Sequence, residues 1–220
     1  MRILREESSI FVYWEDLVYL EAALIAYAQY PALVALVTGV LNGFPGVLES
    51  DLASRRTQVQ AEAQVTIADV YLDLGIREVH ADSVHAAGGN KQATSHTTLF
   101  ATDIGNTVRH ALGKQVEIGT ALVEKLVLNL FTPEFRERQQ NRLGGLLDAG
   151  RAALARRRAV TIERASVRLT IIEWKEEANA VRLGVYGELL KLGGSKAFAD
   201  RFFRPEPASR STTTEDPIEA

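Results

Sequence analysis

The chain has no cysteine among its 220 residues. That absence excludes disulfides, iron–sulfur clusters, thiolate zinc sites and a thiol nucleophile together, and it fits any compartment. The start, MRILREESSIFVYWEDL, carries acids where a secretory signal has its apolar core, so no cleavable signal peptide is expected. Strand-like alternation is missing from the whole chain, as is any short internal repeat.

Catalytic signatures are missing as well. There is no Gly-x-Ser-x-Gly elbow, and Ser83, Ser95 and His110 form no recognisable triad. GGNK, from Gly88, lacks the flanking spacing of a phosphate-binding loop. His80, Asp82 and His85, with His96 further on, are the candidate metal ligands. On a helix, positions 80 and 85 lie about 140° apart rather than on the shared face of an i,i+4 pair, so they read as solvated histidines beside a loop. Asp69 and Asp73 form an i,i+4 carboxylate pair, which reads as a solvated helix face rather than a general acid and base. The expectation is a non-enzyme with no metal, no cofactor and no small-molecule substrate.

What the chain does have is an ordinary folding composition, 46% apolar and 24% charged, and a length that fits one sizeable domain or one domain with extended arms. It also has a long uncharged run, from Ala22 to Leu48. About 20 apolar residues suffice to cross a bilayer, and Tyr13, Trp14 and Tyr19 precede the run as an interfacial belt would. Against a simple span, Gln29 and Pro31 sit inside it, and six alanines dilute it. Asn42-Gly43 followed by GFPG at 43–46 reads as a stop and a turn. A buried helical hairpin over residues 1–46 is therefore expected, with insertion into a membrane as the alternative.

Beyond the turn, Leu48, Val59, Val70 and Ala81 recur every eleven residues, and so do Leu52, Ala63, Leu74 and His85. Eleven residues over three turns is about 3.67 per turn, which keeps an apolar stripe nearly parallel to a helix axis. The spacing predicts a helix from about Leu48 to Leu74, with Gly75 to Ala87 as its continuation. Residues 88–98 read as an extended surface loop, and residues 99–130 as a second helical stretch weakened by Gly105, Gly113 and Gly119. Thr132-Pro133-Glu134 is a helix start. The helix that follows has Gly144-Gly145 as its expected hinge and Gly193-Gly194 as its end. The tail from 205 to 220 is rich in proline and hydroxyls, and would be disordered alone.

Charge is distributed unevenly. Residues 1–130 hold 9 basic and 15 acidic side chains, residues 131–204 hold 15 and 9, and the last 16 residues carry a net −3. Arginine outnumbers lysine by 19 to 6. Arg151, Arg156, Arg157, Arg158, Arg164 and Arg168 are the candidate anion- or partner-binding residues, because guanidinium groups suit carboxylates and phosphates at interfaces. Arg156 to Arg158 spread around the helix rather than forming a stripe, and no aromatics stand nearby to stack on bases. Pairing with the acidic half of the chain is therefore expected before nucleic-acid binding.

The sequence thus predicts an all-α fold of long antiparallel helices in an elongated bundle, with an extended mid-chain loop and a C-terminal arm. Its expected divisions are 1–46, 47–204 and 205–220. The expected role is a structural subunit of a large homo-oligomeric assembly, of virion or secretion and injection type by architectural analogy. A membrane-inserting pore or ejected channel component is the first alternative, and an arginine-rich nucleic-acid-binding protein the second.

Overall fold

The structure is a computed structural model and describes Met1, residues 3–101 and residues 104–205. The predicted tail arm falls, from residue 206 on, outside the described residues. The described chain forms seven helices: α1 (Ile10–Tyr27), α2 (Pro31–Ala86), α3 (Thr94–Leu99), α4 (Ile104–Thr107), α5 (Leu112–Leu126), α6 (Pro133–Gly193) and α7 (Lys196–Asp200). No strand occurs among the described residues, and the fold is all-α.

The chain divides into two compact units. One combines Met1–Asp51 with the chain from Arg168 onward, and the other is Leu52–Val167. α2 and α6 each contribute to both units.

In the first unit, three helices bring three–four spaced apolar rows together. The rows are Tyr13, Leu17, Leu20 and Leu24 on α1, Leu33, Val37, Val40 and Phe44 on α2, and Trp174, Ala178, Val185 and Leu189 on α6. α1 begins at Ser9, whose hydroxyl accepts from the Phe11 N–H at 3.3 Å, and ends at Ala28, held in the left-handed region at φ 59°. Inside this core, Arg182 donates to Asp16 at 2.9 Å, and both side chains are at most 2% exposed. Such a pair is costly to break once buried.

In the second unit, α2 and α6 run antiparallel. Asp82 meets Arg138 at 3.6 Å, and Ser54 meets Arg164 at 2.7 Å, so residue numbers fall along one helix as they rise along the other. Leu72, Ile76 and Val79 of α2, Leu122 and Leu126 of α5, and Leu143 and Leu147 of α6 form the core at one end. α6 starts as its sequence predicts, with Thr132 Oγ1 accepting from the Phe135 N–H at 3.3 Å. It ends at Gly193, followed by Gly194 at φ 67°.

Four local expectations are corrected. Asn42-Gly43 and GFPG do not form a stop and a turn, because α2 runs through Pro45 without a break. The proline ring removes the donor to the Leu41 carbonyl and crowds that carbonyl. Burial of Phe44 against Trp174, whose Nε1 donates to the neighbouring Val40 carbonyl at 3.1 Å, holds the segment helical. The hairpin turn lies earlier, at residues 28–30 between α1 and α2.

Residues 88–98 are not an extended loop: a turn leads into α3, which buries His96 and Leu99. The stretch from 99 to 130 is not one helix but the short α4 and the longer α5. Gly144-Gly145 is no hinge, since Leu143 and Leu147 on either side are buried and anchor a continuous α6.

Candidate assembly surface

Leu48, the first residue of the eleven-residue rows, packs against the core of the first unit, but from Leu52 to Leu74 the rows face away from the core of their own chain. Leu52 is 57% exposed, Val59 64%, Val70 49% and Leu74 50%, and Ile67 beside them is 55% exposed. The side of α2 that the second unit buries carries Ser54, Ala61, Leu72, Ile76 and Val79 instead. At about 100° per residue these two sets lie on opposite sides of the helix. The periodic row is therefore a second apolar face, and nothing in the chain's own packing accounts for its regularity.

Beside this face, Ala63, Gln64, Ile67 and Tyr71 of α2 and Ala149 and Ala152 of α6 line a shallow groove of about 530 Å³, with Arg156 at its edge. The short alanine side chains let the two helices lie open here. Large apolar groups that water touches at this density mark surfaces used for protein contact.

The six candidate arginines are not gathered into one site. Arg151 is exposed and donates to Asp148 at 3.1 Å and to Thr120 Oγ1 at 2.9 Å. Arg156, Arg157 and Arg158 are exposed, with no ion-pair partner among the described residues. Arg164 is buried at 7% exposure and donates to Ser54. Arg168 is exposed and belongs to the first unit.

Pairing with the acidic half of the chain does occur, but through other arginines. Arg138 and Arg142 reach Asp82 at 3.6 and 3.1 Å, and Arg142 reaches Glu78 at 3.2 Å. Arg156, at the edge of the groove, has the uncharged Ala63, Gln64, Ile67, Ala68 and Tyr71 of α2 opposite it.

Some of the polar residues weighed for chemistry are held in contacts within the fold. Ser83, fully buried, donates to the His80 carbonyl at 2.8 Å and lies 2.8 Å from His96 Nδ1. The His96 ring also lies 4.9 Å from the His80 ring and 5.7 Å from that of Phe100. Burial, and secondarily Lys91, hold the His96 pKa below its ordinary value, so the neutral ring is the packed form. A buried serine without access for a substrate is not a nucleophile.

Asp82 accepts from Gln139 at 2.7 Å and from Arg142, and His85 is exposed. Among the described residues, no group of three or more side chains is placed to hold a metal ion. Asp69 and Asp73 are half-buried rather than solvated, and burial followed by the Asp73 charge raises the Asp69 pKa. Sequence reasoning missed the Ser83–His96 contact because thirteen residues and a turn separate its partners.

No family model matches the chain, and neither a curated protein nor a solved structure matches it.

Proposed function

We propose that this protein is a non-enzymatic assembly subunit that packs against further copies of itself through exposed helix faces. The observation that carries the reading is the second apolar face of α2, regular in the eleven-residue spacing and turned away from its own core. A soluble chain gains nothing in its own fold from Leu52, Val59, Val70 and Leu74 at these positions, whereas a neighbouring chain would shield them from water. The unpaired Arg156 to Arg158, together with acidic side chains elsewhere, add charges that a neighbour would satisfy.

Mass measurement in detergent-free solution tests the reading. Species at multiples of the 24.2 kDa chain are expected, and Val59→Lys with Val70→Lys should return them to monomer while helical content is retained. A parent protein that stays monomeric at high micromolar concentration would end the proposal.

A second reading has its own support. An 18-residue window of α2 has a mean hydropathy of 1.7 and is only 28% buried, while Phe11, Trp14, Val18 and Ile25 are exposed on α1. Both features suit contact with a lipid interface. Flotation with neutral liposomes separates the readings: the assembly subunit stays in the dense fraction, and a membrane-active protein rises.

A further inference from the structure

We infer that the exposed face of α2 packs against the same face of a second copy, with the two α2 helices antiparallel. This rests on the assembly reading above and narrows it to one pair of surfaces.

The shape of the face is the first ground. Leu52, Val59, Ala63, Val70 and Leu74 lie along a straight line on the helix, because eleven-residue recurrence cancels the drift of the 3.6-residue turn. A straight apolar line with a small residue near its middle is the shape that another long helix covers, by fitting its side chains between those of the first.

Charge supplies the orientation. Residues 52–60 carry Arg55 and Arg56 and no acid, whereas residues 61–86 carry Glu62, Asp69, Asp73, Glu78 and Asp82 against Arg77 alone. A parallel pair would stack arginine on arginine and acid on acid. An antiparallel pair sets the basic end of each helix beside the acidic end of the other, twice by symmetry.

The register follows from one spacing. Arg56 and Glu78 are 22 residues apart, two full eleven-residue periods, so they lie on the same flank of the face. Antiparallel packing centred near Ile67 brings each copy's Arg56 to the other's Glu78. Glu78 already bonds to Arg142 of its own chain at 3.2 Å, and its second carboxylate oxygen remains an acceptor. Arg56 and Ile67 are both exposed, so neither needs the fold to open.

The absence of cysteine makes the test free of background. Single-cysteine variants Ile67→Cys, Arg56→Cys and Glu78→Cys are prepared in the full chain, checked for helical content, and oxidised mildly. Ile67→Cys should give a disulfide-linked band at twice the chain mass. Arg56→Cys mixed with Glu78→Cys should give that band, while neither variant alone should, since those positions on antiparallel copies stand roughly 33 Å apart along the axis. Bands from Arg56→Cys alone and Glu78→Cys alone would indicate parallel packing and overturn the inference. So would a protein that is oligomeric by mass yet gives no α2–α2 band, an outcome that leaves the assembly reading standing. A monomeric mass without any band removes both.

Discussion

The second unit contains two environments for the same pair of helices. Near its core, α2 and α6 are covered by α5 and by the segment through α3, and Leu72, Ile76, Leu143 and Leu147 are buried almost completely. Further along, the stretches around 52–64 of α2 and 155–167 of α6 have each other, and their buried side chains include Ser54, Ala61, Val160 and Arg164. Two helices alone offer each other one narrow strip, so most apolar groups on such a stretch must face water. The sparse stretch nevertheless keeps large apolar side chains at regular intervals on its outer side. The difference between the two places lies in the neighbours, because most helical stability in a protein comes from tertiary packing.

Truncation at the covered end is expected to have the largest effect. Leu143→Ala, at a fully buried position, should cost about 2–5 kcal/mol in urea unfolding, through lost transfer energy and the cavity left behind. Val59→Ala on the sparse stretch should change the stability of the single chain by no more than about 0.5 kcal/mol, as surface substitutions do. Equal costs for the two variants, measured under conditions that keep the chains apart, would erase the distinction between the regions.

A smaller loss probes how closely the helices approach at the covered end. A Cβ on Gly75 would collide with the Leu146 side chain, and one on Gly119 would stand 2.8 Å from Leu147. Both glycines are therefore points of close approach rather than weak spots in their helices. Gly75→Ala should destabilise the chain by about 1–3 kcal/mol through overpacking, although alanine is the better helix former. A gain in stability would show that Leu146 moves aside freely and that packing at this end is loose.

These positions also show where the sequence was readable. Thr132-Pro133 announced the start of α6 because the cap is local chemistry, and the eleven-residue rows announced the long α2 because periodicity is local too. Gly119 was legible only as a helix weakener and Gly75 only as the start of a helix continuation, since their partners Leu147 and Leu146 come from distant parts of the chain. Pro45 was misread for a similar reason: what keeps α2 helical there is Trp174, 129 positions away in sequence. The arginines were legible as contact groups in kind. Which of them pair internally depended on the residues α2 presents opposite, Asp82 and Glu78 to some and alanine to others. The exposed second face could not be read from the pattern, because a periodic apolar row looks the same whether its own chain or another covers it.

The smallest expected effect lies on α2 where one environment gives way to the other. Asp69 stands one helical turn before Asp73, and burial first and the Asp73 charge second raise its pKa. An acid with a raised pKa in the folded state binds its proton more tightly there than in the unfolded chain. Its ionised form therefore costs stability above the folded pKa, and the cost fades as pH falls through that value. Asp69→Asn should accordingly raise stability at pH 7 by about 0.2–0.5 kcal/mol, the scale of relieving a like-charge i,i+4 pair. The advantage should shrink toward zero in acid, where the parental Asp69 carboxyl is protonated. Thermal melts of parent and variant across pH 3 to 7 check this. An advantage that stays constant over the range would place its origin in helix propensity or shape rather than in the charge, and the border between the two environments would then hold no electrostatic strain.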